Sequence, residues 1–127
     1  MSTKQVVKGE NIPVSHLPFS AGIISGDHLF VSGQASTDDT GAIIKDTFAG
    51  ECRRSFDNLK RIVEAAGVTL DDAVQVRNYV ANQEDLVEFN QIYREYFQAP
   101  YPARTTLIGC LGDVLKFEVD AVFRLPQ

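Results

Sequence analysis

Two cysteines, Cys52 and Cys110, are all the thiol chemistry the chain carries. That is too few for a disulfide scaffold, and neither stands at metal-ligand spacing from His16 or His28. Both are expected to be reduced, buried, small apolar residues, and no metal is expected. Long hydrophobic runs are missing too. No apolar stretch approaches the length of a bilayer span, and no charged-then-apolar signal segment opens the chain. Met1-Ser2-Thr3-Lys4 therefore reads as the start of a cytoplasmic protein. Basic residues are outnumbered, 12 Lys and Arg against 17 Asp and Glu, for a net charge of −5. Nucleic-acid binding draws on clustered cations that displace counterions, so neither nucleic acid nor a membrane is an expected partner. A small basic cleft for one anionic ligand stays allowed, because net charge does not fix local potential. No repeat, low-complexity tract or linker breaks the 127 residues, a length that suits one domain over 1–127.

The residues present place the elements. Ser20–Ser25 and His28–Ser32 flank Gly26-Asp27, a suitable two-residue hairpin turn, and Gly33 ends the second strand. Asp38-Asp39-Thr40-Gly41 makes another turn before a short third strand at Ala42–Ile44. From about Thr47 to Ala66, the residues Phe48, Cys52, Phe56, Leu59, Ile62, Val63 and Ala66 recur at helical spacing. Asp46 or Thr47 can cap this helix, and Gly67 fits the left-handed position after it. Val74, Val76 and Val80 alternate with Gln75 and Arg77, the pattern of a half-buried strand. A second helix is expected from about Gln83 to Phe97, capped by Asn82 and stopped by Pro100 and Pro102. Two last strands, about Arg104–Cys110 and Val114–Leu125, are joined by a turn at Leu111-Gly112-Asp113. In the final one Phe117, Val119, Ala121 and Phe123 face one way, and Lys116, Glu118, Asp120 and Arg124 the other.

The order β-β-β-α-β-α-β-β, with two amphipathic helices over one face of a mixed sheet, is an α+β architecture. The helices can cover only one side, so the open side suggests partner subunits. Arg104 follows a Pro-containing turn and opens a strand. Its planar fork of donors suits a substrate carboxylate, and Glu118 could handle a proton or aim a water. A salt bridge at a subunit contact is the competing role for Arg104, and a solvated charge for Glu118.

The motifs resemble the RidA/YjgF family of reactive imine deaminases. Pro102-Ala103-Arg104-Thr105 followed by Lys116-Phe117-Glu118-Val119-Asp120 is similar to its C-terminal signature. Val31-Ser32-Gly33-Gln34 resembles its "SGQ" strand end. Ser55–Leu59 with Val63–Gly67 resembles its first helix, and Asp85–Phe97, with Asn90 and Tyr93, its second. The resemblance implies a chorismate-mutase-like homotrimer with sites between subunits and no cofactor. It implies hydrolysis of small 2-enamine or 2-imine carboxylates, such as 2-aminoacrylate, to 2-keto acids and ammonia. Arg104 would hold the carboxylate and Glu118 orient the water. The Gly33 backbone would touch substrate or water, with Asn90 near the cleft. Beside Arg104, Glu118 would stay ionised.

Two positions depart from the family: Phe19 where a tyrosine is usual, and Thr106 where a cysteine is frequent. Both belong to the expected substrate-binding set. The turn from Gly109 to Asp113 lacks the usual Leu-Pro. His16 could relay a proton in place of the lost hydroxyl, and Cys110 has no visible base to make it a nucleophile. Phe89, Tyr93 and Tyr96 read as packing or pocket wall. A larger enamine acid such as 2-aminomuconate, or a non-catalytic module that senses keto acids, stays open as an alternative.

Overall fold

The computed structural model describes residues 3–10 and 12–126; Met1 and Ser2, from which the start of the chain was read, lie outside them. One six-stranded sheet runs in the order β1-β2-β3-β6-β4-β5. Its strands are β1 (Gln5–Val6), β2 (Gly22–Ser25), β3 (His28–Ala35), β4 (Ala73–Val80), β5 (Ala103–Ile108) and β6 (Phe117–Arg124). All neighbours are antiparallel except β4 and β5, which α2 connects as a parallel pair. Helices α1 (Phe48–Ala65) and α2 (Leu86–Tyr96) complete the fold.

The expected element string is right and the expected hairpin is β2 and β3, but one of the first three strands is not the expected one. Ala42–Ile44 forms only an isolated bridge, Thr37 to Ile43. The reason is topological: β3 already has β2 on one side and β6 on the other, so no edge remains for a third strand there. The missing strand is instead β1, two residues paired to Ile23 and Ile24, too short to show an alternating pattern.

The inner face carries the core. Leu29 and Val31, Val76 and Val80, and Phe117, Val119, Ala121 and Phe123 are all buried against Cys52, Phe56, Leu59, Ile62 and Val63 of α1 and Phe89, Ile92 and Tyr93 of α2. Phe56 lies at the centre, in ring contact with Tyr93, Tyr96, Phe97 and Phe117. Burying such a ring contributes about 3 kcal/mol. Val74 breaks the expected inward row. A register shift between Ala73 and Gln75 turns it outward, and it stays exposed.

Local chemistry sets the helix ends. Thr47 Oγ1 accepts the Gly50 N–H at 3.2 Å, so Thr47 is the cap of α1. Gly67, at φ 87°, takes the left-handed position after it. The α2 region begins as a 3-10 turn at Gln83–Asp85, and Asn82 makes no side-chain cap; its carbonyl accepts the Asp85 N–H instead. The last strand starts at Phe117 rather than Val114, because the Lys116 N–H leaves the ladder to donate to Glu51 Oε1 at 3.0 Å. Cys52 is buried as expected, but Cys110 is exposed. It sits beyond the end of β5, after Gly109 turns the chain at φ 84°.

Candidate functional site

Arg104 lies on the inner row of β5, opposite buried Val76 of β4. It reaches over the face of α2: its Cζ is 4.8 Å from the Tyr93 ring centroid and 5.2 Å from that of Phe89. Cation–π contact holds the guanidinium flat while leaving its N–H fork unused. Among the described residues no carboxylate lies within salt-bridge distance of it. Asn90, Tyr93, Arg94, Tyr101 and Pro102 join it around a cleft of about 260 Å³. Asn90 spends its amide on the Leu86 carbonyl at 3.1 Å, which fixes the α2 backbone at the cleft wall. Thr106 follows two residues along the same row, and its hydroxyl is buried without a partner.

Glu118 and Gly33 form a second group, on the other side of the sheet. Glu118 alternates with buried Phe117 and Val119, so its side chain leaves the core and enters the open face. Gly33 does not end its strand. It sits in a β-bulge between Val31 and Gln34, and β3 continues to Ala35, which pairs with Glu118. The bulge brings the Gly33 backbone against the carboxylate: a Cβ there would lie 2.6 Å from Glu118 Oε2. Any larger residue there would push the carboxylate out of that position.

Arg104 and Glu118 are therefore not neighbours within one chain. Two strand spacings, about 10 Å, and the thickness of the sheet separate them. The expectation that Arg104 keeps Glu118 ionised does not hold inside the chain. Burial pushes the Glu118 carboxyl above its ordinary value, and the nearby Asp120 carboxylate adds to the rise. Asp120 is itself held by Arg77 Nε at 2.8 Å and by the Tyr79 hydroxyl.

Phe19 is farther still. It lies exposed on the rim of a hollow of about 220 Å³ with Val7, Ile12 and Ala21, beside β1 and β2. That is the opposite edge of the sheet from β5, about 19 Å away by strand spacing. His16 is exposed in the same loop. The structure thus brings together Arg104, Asn90 and Thr106 on one edge, and Gly33 with Glu118 on the open face, and it leaves Phe19 apart. Sequence reasoning passed over Asn78, which is fully buried beside Thr106 on β4. Its signal was a polar residue in the row Val76-x-Asn78-x-Val80. Among the described residues no three His, Cys, Asp or Glu side chains gather as a metal site, and no helix is long and apolar enough to cross a membrane.

A half-covered mixed sheet with two helices on one face, and an unpaired arginine in a small cleft at its edge, defines an α+β domain. The chain belongs to the family described as endoribonuclease L-PSP, the RidA/YjgF family, whose model matches residues 9–124. A RutC family protein of Pyrococcus horikoshii is 35% identical, covering 94% of this chain and 96% of its own. A protein of Dermatophagoides farinae named 2-iminobutanoate/2-iminopropanoate deaminase is 31% identical, over 96% of this chain and 97% of its own. A crystal structure from Yersinia pestis, of the conserved Rid protein family, superposes with a TM-score of 0.88 at 26% identity, covering 96% of this chain and 99% of that one. Deaminase names among relatives at about this similarity place enamine and imine deamination within the family.

Proposed function

We propose that the protein is a hydrolytic deaminase of small 2-enamine or 2-imine carboxylates, acting at clefts between the subunits of a homotrimer. The observation that carries this is the Arg104 guanidinium, stacked on two rings at a cleft with its donors unpaired. Such a group is already oriented for a carboxylate, and each charge-assisted bond it makes contributes about 1.5–3 kcal/mol. The division of the remaining groups supports the assembly. Glu118, Gly33 and Phe19 can join Arg104 only if a second copy supplies them. The open face offers apolar surface for that copy, with Phe30 and Leu107 each nearly half exposed.

In the reaction, a water oxygen bonds to C2 of the imine while the C=N π pair moves to nitrogen, which takes up one of that water's protons to give the carbinolamine. The hydroxyl proton then passes to the amino nitrogen as the C–N bond breaks and its electron pair stays on nitrogen. An oxygen lone pair closes the C=O bond, giving a 2-keto acid and ammonia. Arg104 holds the substrate carboxylate, Glu118 of the second copy aims the water, and the Gly33 backbone sits beside both. Positioning and charge neutralisation suffice for much of the rate gain when the substrate is already reactive.

The test couples the protein to an amino-acid oxidase that releases imines and follows keto-acid formation. Arg104→Ala should lower kcat/KM about 100-fold, the loss of a paired charged contact, and Arg104→Lys should recover only part of it. An Arg104→Ala variant as fast as wild type would remove the clamp from the mechanism. Tight keto-acid binding without turnover of any imine would favour a sensing module instead.

A further inference from the structure

The chain has seven arginines. Arg53, Arg54, Arg77 and Arg124 stand in salt bridges with carboxylates. Among the described residues Arg61, Arg94 and Arg104 stand in none, and Arg61 spends an N–H on Asn58 Oδ1 at 2.9 Å. The other two meet at one place. Arg94 and Arg104 both line the cleft of about 260 Å³ between α2 and β5, and its other walls, Asn90, Tyr93, Tyr101 and Pro102, bring no carboxylate. A chain with 17 acids and 12 bases has left two guanidinium groups together without a counter-ion.

Local structure holds both cations at the cleft. Arg104 lies over the Phe89 and Tyr93 rings, on one stripe of α2. Asn90 and Arg94 form the adjacent stripe, four residues apart and therefore one above the other. Arg94 Nη1 donates to the Asn90 carbonyl at 3.3 Å, which folds the side chain back along the cleft wall. Arg94 also stands in the last turn of α2, where the helix dipole favours a cation. That effect explains a basic residue there but not the missing acid. Two like charges in one concave site repel, and anions that enter remove the cost.

We infer that the cleft selects 2-imino acids that carry a second, distal carboxylate, and that Arg94 is the residue that selects them. This rests on Arg104 holding the carboxylate next to the imine carbon, as proposed above. Arg94 meets the distal carboxylate with its remaining N–H groups, a charge-assisted contact. It touches the far end of the bound acid and not the reacting carbon, so it sets specificity. An alkyl imino acid leaves Arg94 without its anion. The competing occupant is a carboxylate of a neighbouring copy, which would make Arg94 an assembly contact.

Binding tests this apart from turnover. Calorimetry compares two keto acids of similar length, 2-oxoglutarate and 2-oxohexanoate, on wild type, Arg94→Gln and Arg94→Lys, with the assembly state measured alongside. Wild type should bind the diacid about tenfold more tightly, the worth of one charged contact, and the margin should shrink as salt rises. Arg94→Gln should bring the ratio near unity through lost diacid affinity. Arg94→Lys, which keeps the charge, should recover part of it. A wild-type ratio at or below one overturns the inference. So does a preference that survives in Arg94→Gln, with or without a weakened assembly. The imines that amino-acid oxidases release from glutamate and norleucine then separate the two readings. Diacid preference in binding with no turnover of either imine supports the role of Arg94 and removes the deaminase function. Turnover of both imines with equal affinities removes only the selectivity, and binding of neither keto acid removes both.

Discussion

Glu118 illustrates how one residue's chemistry follows from its surroundings. On the open face it is half-buried, and Asp120 two residues along the same strand is a like charge on the same side. Both effects favour the protonated form, with burial the larger. If Glu118 aims water as a carboxylate, activity falls as pH drops through its pKa, which burial and Asp120 raise within one chain and the neighbouring copy's Arg104 lowers in the proposed cleft. Removing the like charge makes ionisation easier and lowers that pKa. Asp120→Asn should therefore move the acid limb of kcat/KM to lower pH in a profile from about pH 4 to pH 8. A limb that stays in place, or moves up, would show that Glu118 does not titrate in catalysis. The role of Arg104 as a candidate clamp was legible in the sequence because a Pro-bounded strand start and a guanidinium are local features. The ring stack that orients it was not, since Phe89 and Tyr93 reach it only through the packing of α2.

Among the elements, the junction of α1 with β6 depends on a buried carboxylate that sequence reading did not single out. Glu51, fully buried in α1, accepts the Lys116 N–H at 3.0 Å, the Asp46 N–H at 3.1 Å and Lys116 Nζ at 3.2 Å. Lys116 Nζ also donates to the Asp46 carbonyl. These bonds end the preceding loop and start β6 at Phe117, which sets the alternation that sends Glu118 outward. Glu51→Ala would leave two backbone N–H groups and an ammonium without their acceptor. It should cost about 3 kcal/mol in urea unfolding, with Glu51→Gln recovering part by keeping an acceptor. A Glu51→Ala loss below half that size would mean water replaces the carboxylate. Helix periodicity and the Thr47 and Gly67 signals made α1 readable in advance. Asn82 failed as a cap because its backbone carbonyl, not its side chain, closes the 3-10 turn. The third strand failed because strand existence depends on a free sheet edge, which no local pattern reports.

For the whole molecule, the division of the candidate site yields a prediction independent of any substrate preference. If each cleft takes Arg104 from one copy and Glu118 from its neighbour, Arg104→Ala and Glu118→Ala trimers are each inactive at every cleft. Unfolded together and reassembled at equal amounts, they should regain roughly a quarter of wild-type activity, because a cyclic, head-to-tail interface lets random mixing rebuild one cleft in four. Recovery near zero would place both residues of the working site in the same copy, contrary to the sheet geometry. The sequence by itself determined the helices, the inward row of β6 and the family, because periodicity, caps and short motifs are written in neighbouring residues. Only the tertiary structure decided which strand fills the sheet edge and that Gly33 lies in a bulge against Glu118. It also separated Arg104 from Glu118 by the sheet and set Asn78 beside Thr106. Register and sheet order join residues far apart in the chain, and the free energy that selects them comes from the packed whole.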